Sequence, residues 1–264
     1  MAAPGHGHFY YPYNVAALAI ETIRDKARTQ ENHEDAVHQA WLAIPRRYFP
    51  DEPPAPVGPG PHSCYSIEAQ PYRGAARPQD KKPDVVVIKF MNVVRVQGQT
   101  QFERRDVLWI ECKAPKKVVP NGWHTVLQEA TERLIQAHSD RQVFLILAVG
   151  LYWMPFMWDP VNFGHQGQHL QMLQDNGQPW PDENGVPDID PRIRPIPDNV
   201  LPPHAISAQR HIINNQIHTR EAYTVNHFDT TPAGVPIHLP ELQLLEHIFA
   251  AIQAHVYQGP RQPY

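Results

Sequence analysis

Apolar residues near the start of the chain recur at helical spacing in two segments. In residues 14–28 they fall on one face of a helix, and Asn14 is available to cap its first turn. A second helix is predicted at about residues 31–44, and Pro45 ends the pattern. Six prolines between positions 50 and 61 then predict an extended loop.

The centre of the chain alternates between strand and helix patterns. Residues 64–73 suit a short strand, dense β-branched residues predict a strand at 83–96, and 106–114 is predicted as another. The polar segment 97–105 is expected to form a turn between the second strand and the third. A helix is predicted at 123–139, followed by two buried strands, 141–150 and 151–159, that turn at Gly150.

The C-terminal part of the chain has a weaker pattern. Residues 160–205 are polar and rich in proline, which predicts a long loop or arm. Residues 207–228 are expected to begin as a helix and end as a strand, whereas 239–256 has the amphipathic spacing typical of a helix. We expect residues 206–258 to be a C-terminal extension that packs on the core.

The order of these elements predicts the fold class. Helix, three strands, helix and strand indicate an α/β protein with a mixed central sheet flanked by helices, in a single domain of 264 residues. Two cysteines, Cys64 and Cys112, argue against a disulfide framework. Neither a secretory signal nor an apolar run long enough for a membrane span is found. We therefore expect an intracellular protein, in the cytoplasm or nucleus, that does not associate with membranes.

The formal net charge of −4 hides an uneven distribution of charge. Residues 72–117 hold eleven Lys and Arg against five Asp and Glu, whereas the rest of the chain is acidic. A basic face of this kind can bind the phosphates of a nucleic acid. The same lysines and arginines also suit an ordinary solvated surface, so charge alone does not identify a partner.

Three charged residues stand in or beside the central apolar strands. Asp84 begins the second strand, and Glu111 and Lys113 flank Cys112 in the third. Because side chains alternate along a strand, Glu111 and Lys113 project to one face and Cys112 to the other. Burying such charges is costly unless they are paired or bound to metal. If the two strands are adjacent and antiparallel, the carboxylates and the Cys112 carbonyl form an oxygen-rich site suited to Mg²⁺ or Mn²⁺.

These residues carry a resemblance to a known family. Pro83-Asp84 and Glu111-Cys112-Lys113, the string WIECKAP and the order αβββαβ over about residues 31–158 resemble the PD-(D/E)XK, or restriction-endonuclease-like, superfamily. The resemblance implies Mg²⁺- or Mn²⁺-dependent hydrolysis of nucleic-acid phosphodiesters. By that resemblance, Asp84 and Glu111 hold the ion, and Lys113 positions or deprotonates the attacking water and stabilises charge on the phosphate.

Further site residues follow from the same resemblance. An acid is expected in the helix before the sheet, and Glu34 is preferred over Glu31 and Asp35. Gln128, on the helix after the third strand, is expected to contact the metal's water or the substrate, although the tyrosine that some nuclease families carry four residues later is Glu132 here. Four lysines near the motif are expected to contact nucleic acid, DNA in preference to RNA: Lys81, Lys82, Lys116 and Lys117. A homodimer is an open alternative to a monomer.

Other interpretations stay open at this point. The chain can be an inactive nuclease-like module that binds nucleic acid or a protein, or a structural protein in which Glu111 and Lys113 form a salt bridge. The sixteen histidines lack the paired ligand spacing of a structural zinc site, which favours ordinary surface histidines. Cys112 is expected to be a buried core thiol rather than a nucleophile.

Overall fold

The computed structural model describes eight segments of the chain. They are residues 7–28, 34–51, 62–69, 84–96, 99–162, 169–174, 176–180 and 189–256.

The helices of these segments lie where helical spacing predicts them. They are α1 (Val15–Arg28), α2 (Glu34–Ala43), α3 (Pro120–Ala137) and α4 (Leu239–Ala254). The predicted cap of α1 is present, since the backbone N–H of Ala17 donates to Oδ1 of Asn14 at 2.8 Å. α3 begins three residues before its predicted start, because Pro120 suits the first position of a helix. Within the described residues, no helix combines the length and the apolar character required to span a bilayer.

A mixed seven-stranded sheet forms the centre of the fold, and a small three-stranded sheet lies apart from it. The strands in chain order are β1 (His62–Ala69), β2 (Val85–Val96), β3 (Gln99–Lys113), β4 (Val143–Val149), β5 (Tyr152–Trp158), β6 (Gln171–Met172), β7 (Ile193–Arg194), β8 (Ile212–Ile213), β9 (Gln216–Ile217) and β10 (Tyr223–Thr224). The large sheet has the order β1-β2-β3-β4-β5-β10, with β7 also paired to β5. β3 and β4 are parallel, and the other pairs of this sheet are antiparallel. The predicted α/β class with a mixed sheet flanked by helices is confirmed.

Each face of the large sheet is covered by a cluster of buried side chains. One cluster joins α1, α2 and α4 to strand residues that include Ile110 and Cys112 of β3. The other joins α3 and residues of β6, β7 and β9 to strand residues that include Trp109. Since neighbouring residues of a strand point to opposite faces, Glu111 and Lys113 lie on the side of α3. Both clusters also contain residues from the C-terminal segment 189–256, which packs on the sheet.

The polar segment predicted as a turn is instead mostly strand, which corrects the sequence interpretation. β3 begins at Gln99, and residues 99–105 pair with β2; residues 97–98 lie outside the described part. β4 pairs only with Leu108–Lys113, so within the described residues the first half of β3 is paired on one side only, with β2. A strand in this position can carry polar side chains, and its composition therefore looks like that of a turn.

The helix expected at the start of residues 207–228 is also corrected. β8 and β9 form a hairpin there, and the two residues between them, Asn214 and Asn215, have φ values of 51° and 62°. Two-residue hairpin turns require positive φ at such positions, which asparagine tolerates better than most residues. The Asn-Asn pair was therefore a turn signal within an otherwise helical pattern. The strand predicted at the end of this segment is β10.

Candidate active site

The pairing of β2 with β3 brings the two predicted acids together. The strands are antiparallel, with Val85 opposite Ile110, so that Asp84 lies opposite Glu111. Oδ2 of Asp84 accepts the backbone N–H of Cys112 at 2.6 Å. The exposed fraction is 8% for Asp84 and 2% for Glu111. Two carboxylates are therefore held side by side in a buried part of the sheet.

α2 contributes a second attachment for this end of β2. The Nε2 atom of His38 donates to the backbone carbonyl of Asp84 at 2.7 Å. Asp84 is thus bound to β3 through its side chain and to α2 through its main chain. These two contacts fix its position independently of any ligand.

Lys113 lies among three carboxylates. Its Nζ is 3.3 Å from Oε1 of Glu111, 3.1 Å from Oε2 of Glu129 and 3.4 Å from Oε1 of Glu34. Alternation along β3 places Lys113 and Glu111 on one face, as predicted from the sequence. Glu34, the acid chosen on α2, contacts Lys113 and not the two carboxylates of the sheet. The structure thus brings Asp84, Glu111, Lys113 and Glu34 to one place.

α3 supplies two residues that the sequence analysis missed. Arg133 donates from Nη1 to Oε1 of Glu111, and its Nη2 lies 3.9 Å from Oε2 of Glu129, four residues earlier on the helix. Gln128, the predicted residue of α3, is exposed and makes none of these contacts. It lies one position before Glu129, and a step of one residue turns a helical side chain by about 100°. The sequence signal for these two residues was their i, i+4 spacing with opposite charges, which is typical of an ion pair on one face of a helix.

Burial and the second carboxylate change the acidity of Glu111. Burial first, and then the charge of Asp84, raise its pKa from 4.5 to about 7, against the opposing effect of Arg133 and Lys113. For Lys113, burial lowers the pKa, but the carboxylates, led by Glu111, outweigh it and raise the pKa above its usual range. Near neutral pH, Glu111 is therefore divided between its two protonation states, whereas Lys113 is an ammonium group.

Each buried carboxylate has one oxygen without a hydrogen bond to the residues that the structure describes. Arg133 and Lys113 both contact Oε1 of Glu111, and Cys112 donates to Oδ2 of Asp84. In the described segments, Oε2 of Glu111 and Oδ1 of Asp84 accept no hydrogen bond. Carboxylate oxygens are the ligands that Mg²⁺ and Mn²⁺ prefer, so the donor chemistry suits such an ion.

The remaining predicted residues have less direct relations to this cluster. In the described part, no group of three or more His, Cys, Asp or Glu residues is arranged to hold a metal ion. The backbone carbonyl of Cys112 stays a predicted third donor beside Asp84 and Glu111. Lys116 and Lys117 are exposed on a short 3₁₀ helix, Pro115–Lys117, directly after β3. Lys81 and Lys82 lie outside the described residues, as do Pro83 and the alternative acid Glu31, while Asp35 is exposed.

Cys112 has the environment of a core residue. It is fully buried, and burial raises the pKa of its thiol well above its ordinary value. A thiol in this state does not provide a nucleophilic thiolate at neutral pH.

Comparison with known proteins does not identify a family for this chain. No family model, no curated protein and no solved structure matches it.

Proposed function

We propose that the chain is a metal-dependent nuclease of the restriction-endonuclease-like type, which hydrolyses nucleic-acid phosphodiester bonds. The observation that carries the proposal is the pair of buried carboxylates, Asp84 and Glu111, each with one oxygen not hydrogen-bonded within the described residues. Two adjacent buried acids repel each other, and a divalent cation removes that repulsion. The resemblance of the motif and of the element order to that superfamily supports the same interpretation.

The charges around the site agree with a divalent cation. The cluster contains four acidic side chains and two basic ones. They are Asp84, Glu111, Glu129 and Glu34, and Lys113 and Arg133. With every group ionised, the cluster carries two more negative than positive charges, which one Mg²⁺ or Mn²⁺ ion balances. Asp84 and Glu111 are the residues that would hold it, with the Cys112 carbonyl as a third donor. Such an ion polarises a phosphoryl oxygen and lowers the pKa of its water.

Lys113 has a defined role in this proposal. Its raised pKa keeps it protonated, so it acts as a hydrogen-bond donor and not as the base that deprotonates water. Its side chain is partly exposed, so its ammonium group can stabilise negative charge that grows on a phosphate. Of the two roles that the resemblance implies for this lysine, we propose phosphate stabilisation.

The proposed substrate is a nucleic acid, DNA in preference to RNA. The exposed Lys116 and Lys117 directly follow the strand that carries the motif, so they can contact phosphates next to the one that is cleaved. Such a substrate implies an intracellular location, in the cytoplasm or nucleus. A homodimer would allow both strands of a duplex to be cut.

One observation favours a second function, that of an inactive nuclease-like module that binds nucleic acid. Arg133 and Lys113 already neutralise Oε1 of Glu111, so the site has internal counter-ions and can persist without a metal ion. A module of this kind would keep the charged cluster for stability and bind phosphates through its lysines.

Cleavage assays with matched variants separate these functions. Plasmid DNA, single-stranded DNA and RNA are incubated with the protein and Mn²⁺. We expect Glu111→Gln and Lys113→Ala to lower the cleavage rate at least about 100-fold. Two control variants outside the cluster, Glu132→Gln and Lys26→Ala, should keep the wild-type rate. Cleavage that survives in Lys113→Ala would show that the assigned site is wrong, whereas binding without cleavage by the wild type would favour the inactive module.

A further inference from the structure

Four side chains of β3 and α3 form a closed ring of opposite charges. Glu111 contacts Arg133 and Lys113, and Glu129 lies 3.1 Å from Lys113 and 3.9 Å from Arg133. The ring joins an i, i+2 pair of a strand to an i, i+4 pair of a helix. Two of its members, Glu111 and Lys113, already have roles in the proposed function, whereas the mechanism leaves Arg133 without one.

The exposure of these side chains increases outward from the sheet. The exposed fraction of the side chain is 2% for Glu111, 14% for Lys113, 20% for Arg133 and 39% for Glu129. Arg133 is therefore partly exposed although it contacts the buried carboxylate of Glu111. A ligand that reaches the cluster can contact its guanidinium group.

Within the described residues, Arg133 uses a small part of its hydrogen-bonding capacity. A guanidinium group carries five N–H donors. One of them donates to Glu111, whereas the 3.9 Å to Glu129 exceeds hydrogen-bond distance. Since the side chain is also partly exposed, its other donors are accessible to an anion that enters the site.

We propose that Arg133 is a substrate-binding residue of this site, held on Glu111 until that carboxylate is engaged by a divalent cation. This inference rests on the proposed nuclease function. A divalent cation on the same carboxylate would weaken the contact of Arg133 with Glu111, which would allow the guanidinium group to turn toward another anion. A planar guanidinium binds the oxygens of a phosphodiester through two parallel hydrogen bonds, which the ammonium group of Lys113 cannot do.

A structural role for Arg133 leads to different measurements. If the residue only balances the buried Glu111, its loss leaves the affinity for nucleic acid unchanged. If it also binds substrate, its loss removes a phosphate contact and at the same time removes a competitor for metal at Glu111. The two affinities then change in opposite directions.

The experiment measures both affinities in Arg133→Gln and Arg133→Lys. Mn²⁺ binding without nucleic acid is followed by titration calorimetry, and binding of a single-stranded oligonucleotide is followed by fluorescence anisotropy in Ca²⁺, which should not support cleavage. For Arg133→Gln we expect Mn²⁺ affinity above that of the wild type. We expect its oligonucleotide affinity to fall about tenfold or more. Arg46→Ala, which removes an exposed arginine outside the ring, should change neither affinity.

Arg133→Lys keeps the proposal testable if Arg133→Gln does not fold. Its positive charge preserves the contact with Glu111, so circular dichroism and thermal unfolding should resemble those of the wild type. Lysine lacks the two parallel N–H donors of a guanidinium group, so the oligonucleotide affinity of Arg133→Lys should fall below the wild-type value. Wild-type oligonucleotide affinity in both variants, or in Arg133→Lys alone if the other is unfolded, would overturn this inference while leaving the nuclease function intact. A wild-type protein that neither binds Mn²⁺ nor cleaves would overturn both.

Discussion

The carboxylate of Asp84 accepts the backbone N–H of Cys112 at 2.6 Å, and both residues are buried. This bond crosses from the residue before β2 to the penultimate residue of β3. It satisfies a main-chain donor that has no access to water, and it sets the spacing between the strand ends. Asp84 therefore has a structural role that is separate from any role in metal binding.

Substitution of Asp84 can separate these two roles. Asp84→Ala leaves the Cys112 N–H buried without an acceptor, which we expect to lower the free energy of unfolding by about 1–3 kcal/mol. Asp84→Asn keeps an acceptor oxygen and removes the charge, so its loss of stability should be smaller. Urea denaturation measures both. Equal losses in the two variants would show that the hydrogen bond does not contribute to stability.

Asp84→Asn should also change the acidity of its neighbour. Because the charge of Asp84 helps to raise the pKa of Glu111, its removal should lower that pKa below about 7. Carbon-detected NMR titration of the Glu111 carboxyl carbon provides the measurement. A pKa of Glu111 that stays the same would contradict the close approach of the two carboxylates.

The stability of the fold should depend on pH through Glu111. Below 4.5 this carboxyl group is protonated in the folded and the unfolded chain. Between 4.5 and about 7 the unfolded chain loses the proton and the folded chain keeps it, so the free energy of unfolding falls as pH rises. From about pH 5 to about pH 8 this group should reduce the free energy of unfolding by roughly 2–3 kcal/mol.

Two glutamine variants isolate that contribution. Glu111→Gln cannot titrate, so its stability should fall less than that of the wild type between these pH values. Glu132→Gln removes an exposed acid of α3 and should retain the wild-type dependence. Urea denaturation with a chelator present provides the measurement. The same pH dependence in all three proteins would show that the pKa of Glu111 is not raised.

Local sequence patterns were sufficient to predict the strand part of the site. The β-branched runs located β2 and β3, and alternation placed Glu111 and Lys113 on one face of the sheet. The antiparallel neighbours required to bring Asp84 to Glu111 are also present. These features depend on residues that are close in sequence or in directly paired strands.

The helix part of the site depends on tertiary packing and could not be predicted in the same way. The sequence pattern located α3 but did not fix its rotation against the sheet, so it did not indicate that Glu129 contacts Lys113. Arg133 reaches Glu111 only because the helix packs on that face of the sheet. A periodic pattern identifies the buried face of a helix, but it does not identify which flanking residue meets a distant strand.

The turn between β4 and β5 should tolerate no side chain at Gly150. Its φ of 60° is unfavourable for other residues, and a Cβ atom would lie 3.0 Å from Cα of Pro115. Gly177 has a φ of 76°, but a Cβ atom there would meet nothing within 4 Å among the described residues. Gly177→Ala should therefore lower the free energy of unfolding by only about 1 kcal/mol, because of its backbone conformation. Gly150→Ala should lower it clearly more, because the added Cβ atom also lies close to Pro115. Thermal unfolding compares them, and equal costs would exclude a close contact with Pro115.

If Glu111 holds the metal ion, the affinity for Mn²⁺ should rise with pH. The ion requires the ionised carboxylate, and a proton competes for it while the pH is below the pKa of about 7. The ionised fraction of Glu111 increases about tenfold from about pH 6 to about pH 8. The association constant for Mn²⁺ should increase by the same factor. Titration calorimetry in several buffers measures the affinity and the number of protons released. An affinity that does not change over this range, with no proton released, would exclude Glu111 as a ligand, whatever the outcome of the cleavage assays.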